Sequence, residues 1–177
     1  ELNKSNIPIL SEEGKMTDFA IRKKWNELWI VDPIDGTKEF IKRNGEFTVN
    51  IALVKNKNPI IGVIYAPVLK TLYYSSNEIG AFKFGNLDVD NYDLNEILSK
   101  SDKLPLASEN KIYTVVASRS HMSEETKQHI QKIKKSKGDI NLISSGSSLK
   151  MCLVAEGKAD EYPRFAPTME WDTAAGH

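Results

Sequence analysis

Three short stretches carry carboxylates at the edges of apolar segments. In WIVDPIDGTKEF (29–40) an apolar run stops on Asp32, and Asp35 follows it, just ahead of Gly36 and Thr37. Pro33 fixes its own backbone and removes an amide donor. Ile34 leaves a backbone carbonyl between the two acids, and Asp35 comes round the turn onto the side of Asp32. Gly36 permits an unusual backbone angle or a close ligand approach. Thr37 offers a hydroxyl and can start a short helix, TKEFIKR, whose first amides favour phosphate. Two close carboxylates repel, and one is driven to keep its proton. A hard divalent cation removes that conflict, and oxygen-only ligation suits Mg²⁺ or Mn²⁺ better than zinc. Taken alone, the same spacing also fits a strand followed by an Asp-Gly turn.

Two further stretches bear on that choice. PILSEEG (8–14) ends an apolar strand on Glu12 and Glu13, and MEWDTAAGH (169–177) places Asp172 before small residues that can start a helix. Each has a plain reading, as a solvated acidic turn and as a helix-capping aspartate. Three acidic elements, each bordering an apolar segment, fit one shared site better than three separate turns.

The elements that must position these acids follow from the patterning. ELWIVD (27–32) reads as a buried strand, and FTVNIALV (47–54) alternates and is β-branched. PIIGVIYAP, TLYYSS and GAFKF continue the series, and their short connectors imply an antiparallel meander. Residues 85–110 are polar and read as an irregular surface excursion; DVDNYD there lacks the glycine and distal glutamate of a calcium loop. After it the rhythm changes to KIYTVVAS (strand), 123–138 (helix), DINLIS (strand), SSLKMCLVAEG (helix) and ADEYPRF (a last strand). Ser123 caps the first of these helices and Gly138 ends it. Alternating strands and helices favour a parallel or mixed sheet in this half. The expected organisation is one structural unit: a metal-site half (1–84), the excursion (85–110) and a ligand-recognising half (111–177).

Composition narrows the function. With 177 residues, 40% hydrophobic and 27% charged, the chain is long and apolar enough for one sizeable core. Lys+Arg and Asp+Glu are both 24, which argues against a broad nucleic-acid polymer surface but leaves room for a small anion held by local cations. The single cysteine, Cys152, excludes an intrachain disulfide, fits a reducing compartment, and sits in a helical apolar stretch as a buried thiol. No apolar run approaches the roughly 20 residues that span a bilayer. The chain opens without an initiator Met and stops inside a promising pattern, so it reads as a fragment, truncated at both ends.

SEE, WIVDPIDGTKEF and WDTAAGH resemble, in order and spacing, the three metal motifs of the lithium-sensitive, magnesium-dependent phosphatases of the inositol monophosphatase superfamily. Within it, DPIDGTKEFIKRNGEFTVNIALV, GVIYAPV, SRSH, GSSLKMCLVAEGKAD and YPRF resemble the CysQ-type 3′(2′),5′-bisphosphate nucleotidases. The likeness covers nearly the whole chain outside 85–110. It implies a layered α-β-α-β-α sugar-phosphatase sandwich, an α/β (α+β) fold.

The resemblance also implies roles. Glu12 ligates a metal and holds the attacking water together with Thr37; Asp32 bridges two metals; the Ile34 carbonyl, Asp35 and Asp172 complete the shells. Two or three Mg²⁺ ions are implied, with Mn²⁺ as a substitute and the third ion's ligands in chain outside this sequence. The Gly36 and Thr37 amides receive the phosphate, while His121, Ser147, Lys150 and Arg164 address the nucleotide and its other phosphate. The implied reaction removes the 3′-phosphate of adenosine 3′,5′-bisphosphate (PAP), giving AMP and phosphate, with the sulfated analogue PAPS as a second substrate and sulfur metabolism as the setting. The rivals are an inositol monophosphatase or fructose-1,6-bisphosphatase of the same superfamily, and a non-catalytic nucleotide-binding module. The expected compartment is the cytoplasm, and peripheral attachment to the inner face of a membrane stays open.

Overall fold

The alternation in residues 47–54 does what its chemistry dictates: one set of side chains turns to a core and the other turns away. The computed structural model describes residues 2–107, 112–118 and 122–177. Its main sheet has seven strands in the order in which they occur in the chain: β1 (Ile9–Ser11), β2 (Glu27–Asp35), β3 (Thr48–Lys55), β4 (Asn58–Ala66), β5 (Thr71–Ser76), β6 (Gly80–Phe84) and β7 (Asp102–Lys103). β1 pairs parallel with β2 and every later neighbour is antiparallel, the expected meander. A second, two-stranded parallel sheet joins β8 (Tyr113–Ala117) and β9 (Ile140–Ser144).

The helices are α1 (Phe19–Arg22), α2 (Thr37–Lys42), α3 (Leu94–Lys100), α4 (Glu124–Lys137), α5 (Leu149–Ala155) and α6 (Glu170–Thr173). One core lies between the main sheet and α5 and α6; Leu10, Ile30, Ala52, Val54 and Ile64 meet Cys152, Trp171 and Ala174 there. A second core joins Val115 and Ala117 of β8 to Ile130 and Ile133 of α4. The layers are therefore sheet, helices, sheet, helix, as the sandwich reading requires. Among the described residues only short helices precede α4, so the outermost helical layer is thin. Val49, Ile51, Val63, Tyr65, Tyr74 and Phe82 of the outward face remain partly exposed.

Two contacts fix the middle layer. A Cβ at Gly62 would stand 2.5 Å from the Ala175 carbonyl, so the turn after α6 presses directly onto β4. At the end of α5, buried Glu156 accepts from Tyr73 (2.5 Å) and Lys83 (2.9 Å) and pairs with Lys158 (2.6 Å). Cys152 is buried, as its setting predicts.

Three sequence-based expectations need correction. The 85–110 stretch is not irregular throughout: Asp93 caps α3 through the Asn95 amide, Ile97 is buried, and β7 extends the sheet beyond β6. The strand expected over 159–165 shrinks to one bridge, Val115 to Glu161, because Pro163 has no amide to donate and the chain turns away. The strand expected to stop at Asp32 runs on to Asp35 through an irregularity. Among the described residues no helix is long and apolar enough to cross a membrane.

Candidate metal centre

The irregularity in β2 creates the site. Asp32 lies opposite Asn50, and Asp35 lies opposite Thr48, so three steps along β2 match two along β3. In a regular strand, residues three apart face opposite sides. The extra residue of the bulge reverses that parity and turns both aspartates to one face. The Ile34 amide donates to Asp32 Oδ1 at 3.0 Å and pins the first acid. Gly36 then takes a left-handed conformation (φ 87°) at the start of α2, and a Cβ there would stand 3.0 Å from the Ser147 Cβ. Gly36→Ala is expected to cost about 1–3 kcal/mol through backbone strain and this crowding; equal denaturation midpoints for variant and wild type would contradict it.

Asp172 arrives from α6. It is not the helix-capping residue but stands within the first turn, where its Oδ2 accepts from the Met169 amide (3.2 Å) and Thr168 (2.6 Å). Arg164 approaches the same oxygen at 3.5 Å. Carboxylate oxygens of Asp32, Asp35 and Asp172 all lie within 4.8 Å of one another. Glu12, following β1, hydrogen-bonds to Asp32 at the edge of this trio, its own amide tied to the Val31 carbonyl at 3.2 Å.

The electrostatics are those of acids crowded with too little positive charge beside them: Arg164 reaches only Asp172, and Lys150 opposes the rise at Asp35 only weakly. Burial, then Asp35 and Glu12, push Asp32 up to about 8. Burial is also the main cause raising Asp35, opposed by donors from Ser148 (2.8 Å) and Asn50 (3.4 Å). A partly buried, all-oxygen donor set of this kind fits a hard divalent cation, which would supply the missing positive charge. The cluster can hold a metal ion.

A cleft of about 620 Å³ opens beside it, lined by Asp35, Gly36, Thr37, Ser147, Lys150, Arg164 and Asp172 among others. The structure thus brings together seven of the residues singled out in the sequence. Lys150 is not a solvated helix lysine: it is 5% exposed, and its ammonium donates to the carbonyls of Ser147 (2.6 Å) and Ser145 (3.4 Å). Burial lowers its pKa, while Asp35 acts in the opposite direction. Tyr162 lies beneath that ammonium (5.4 Å to the ring centre) and accepts from Arg164 at 3.0 Å. The neighbouring acids Glu170 and Glu161 do not pair with Arg164: Glu170 pairs with Arg22 (2.6 Å) and Glu161 with His129. His121 lies outside the described residues. Residues not singled out also line the cleft, including Glu39, Lys42 and Glu46, which accepts from the Gly146 amide at 3.0 Å.

The sequence profile of the inositol monophosphatase family matches residues 3–177. The chain belongs to the inositol monophosphatase family. It is 47% identical over 178 residues to the 3′(2′),5′-bisphosphate nucleotidase CysQ of Salmonella typhimurium, and 47% identical over 172 residues to that of Escherichia coli K12. Each match takes in 97% of this chain and 62% of the relative, so the chain spans a little over three fifths of these curated relatives. The crystal structure of CysQ from Bacteroides thetaiotaomicron superposes with a TM-score of 0.92 at 59% identity, over 99% of this chain and 66% of that one. Mycobacterium tuberculosis SuhB matches with a TM-score of 0.69 at 22% identity, over 99% and 63%, and so shares the fold. The family fold expected from the sequence is the fold observed.

Proposed function

We propose that this chain forms the metal and substrate site of a Mg²⁺-dependent 3′(2′),5′-bisphosphate nucleotidase, which hydrolyses the 3′-phosphate of PAP to AMP and phosphate and also accepts PAPS. The observation that carries this is the convergence of Asp32, Asp35 and Asp172 at one end of a cleft whose wall holds Lys150 and Arg164. The 3′(2′),5′-bisphosphate nucleotidases CysQ of Salmonella typhimurium and Escherichia coli K12, each 47% identical, support the substrate class.

Asp32, Asp35, Asp172, Glu12 and the Ile34 carbonyl would hold two Mg²⁺ ions, and a third would draw on ligands outside this sequence. Bound there, Mg²⁺ lowers the pKa of water and neutralises charge on the phosphate and the leaving oxygen. Glu12 and Thr37 orient the attacking water in line with phosphorus. The Gly36 and Thr37 amides receive the phosphate that is cleaved. Lys150 and Arg164 neutralise the second phosphate, and Ser147 and His121 complete the contacts to the nucleotide. Arg164 suits this work because its planar fork grips phosphate through two bonds. The site needs no covalent phospho-enzyme, and buried Cys152, its thiol pKa raised by burial, is no nucleophile. A small nucleotide substrate and the single thiol support a cytoplasmic setting.

Phosphate release from PAP, inositol monophosphate and fructose 1,6-bisphosphate, measured side by side with Mg²⁺, tests the reading. PAP is expected to be turned over fastest, with inhibition by Li⁺; no release from PAP would refute the substrate. Lys150→Ala and Arg164→Ala are each expected to raise KM for PAP about 10- to 100-fold, the worth of one hydrogen bond to a charged group. An unchanged KM in both variants would place the second phosphate elsewhere.

A further inference from the structure

Thr48 and Asn50 are polar residues at inward positions of β3, both fully buried, and Ser148 beside them is 2% exposed. They form a file of hydrogen bonds whose direction the acid sets, with a longer side contact from Asn50 Nδ2 to Asp35 Oδ2 at 3.4 Å. Asp35 Oδ2 accepts, so the Ser148 hydroxyl donates to it at 2.8 Å. The Ser148 oxygen in turn accepts from Asn50 Nδ2 at 2.9 Å. Asn50 Oδ1 accepts from Thr48 at 3.0 Å, which leaves the Thr48 oxygen to accept from Ser147, also at 3.0 Å. Each hydroxyl has one hydrogen, and each is used once. Ser148 Oγ also lies 3.2 Å from the Asp172 carbonyl, so it touches two of the three clustered aspartates. The file starts on the loop that lines the cleft and ends on the metal centre.

We propose that Ser148, held by Asn50 and Thr48, is a positioning residue that locks the rotation of the Asp35 carboxylate for cation binding and ties that lock to the cleft loop through Ser147. The proposal rests on the cation reading above. A carboxylate that turns freely must be ordered when the ion arrives, whereas one held through a saturated oxygen is ordered beforehand. Buried chains of this kind polarise link by link, so breaking a distant link is felt at the end. Partners of metal ligands commonly carry 10- to 100-fold in metal affinity.

Mn²⁺ binding, followed by the paramagnetic signal of free Mn²⁺ with no substrate present, reads this directly. Ser148→Ala is expected to raise the Mn²⁺ Kd about 10- to 100-fold. Thr48→Val, which exchanges a buried hydroxyl for a methyl of similar shape and leaves Ser148 and Asp35 in place, is expected to raise it about 3- to 10-fold. Circular-dichroism unfolding establishes that each variant is folded at the temperature of measurement. Folded variants that bind Mn²⁺ like the wild type would overturn the proposal, and Thr48→Val alone decides if Ser148→Ala does not fold. Wild-type protein that binds Mn²⁺ yet releases no phosphate from PAP would overturn the proposed reaction and leave the positioning role standing; wild-type protein that binds no Mn²⁺ would overturn both.

Discussion

Asp32→Asn removes phosphate release, with an expected fall in kcat/KM of roughly 1,000-fold or more, and leaves the fold intact. Asp32 is 1% exposed, bonded to the Ile34 amide and to Glu12, and grouped with Asp35 and Asp172. An amide keeps its shape but gives up the charge that balances a divalent ion. Removing one preorganised electrostatic partner from a site of this kind costs about 100- to 1,000-fold in rate. If, as the family resemblance implies, Asp32 serves two ions, the loss would be larger still, because both would lose a ligand. The variant also separates an enzyme from a binding module, in which the same change would matter little. Retention of more than a tenth of wild-type turnover would remove Asp32 from the reaction.

The second large effect is on stability, with metal removed by a chelator. Asp32 carries a folded-state pKa of about 8, above its ordinary value of 3.8. Between those two values the unfolded chain has lost the proton and the folded chain keeps it. Stability contributed by this group therefore falls as pH rises through that window, and is level beyond it. One pKa unit corresponds to about 1.4 kcal/mol, so the loss is on the order of a few kcal/mol. Asp32→Asn cannot ionise and escapes the loss. The difference in thermal midpoint, variant minus wild type, is expected to grow from pH 5 to pH 8 in chelator and to vanish or reverse when Mg²⁺ is present. A difference that stays constant with pH would mean that the acid is ionised and relieved by some other charge.

How much of this was legible beforehand depends on whether the signal was local. Asp32, Asp35, Gly36 and Thr37 could be read from one stretch, because a strand, two acids and a turn glycine are written consecutively. The meander followed from connectors too short for crossovers, and α4 followed from its serine cap and terminal glycine. The bulge that turns Asp32 and Asp35 to one face was not legible, since a one-residue change of register in β2 depends on β3 as its partner. The burial of Lys150 was hidden for the same reason: a lysine on a short helix looks solvated until the loop carbonyls that receive it are in place. α3 was hidden by its polar surroundings, with Ile97 its one buried residue. Thr48 and Asn50 did leave a signal. They stand in phase with Ala52 and Val54, which makes them polar residues on the buried face of a strand. Such residues need partners, and the partners lie about a hundred positions away, at Ser147 and Ser148.

Anomalous scattering from a crystal soaked in Mn²⁺ tests the cation cage most directly. Peaks are expected within about 2.0–2.2 Å of the carboxylate oxygens of Asp32, Asp35 and Asp172, the spacing of small hard divalent ions. A fully soaked crystal with no peak among those three side chains, or with its peaks confined to other acids, would contradict it.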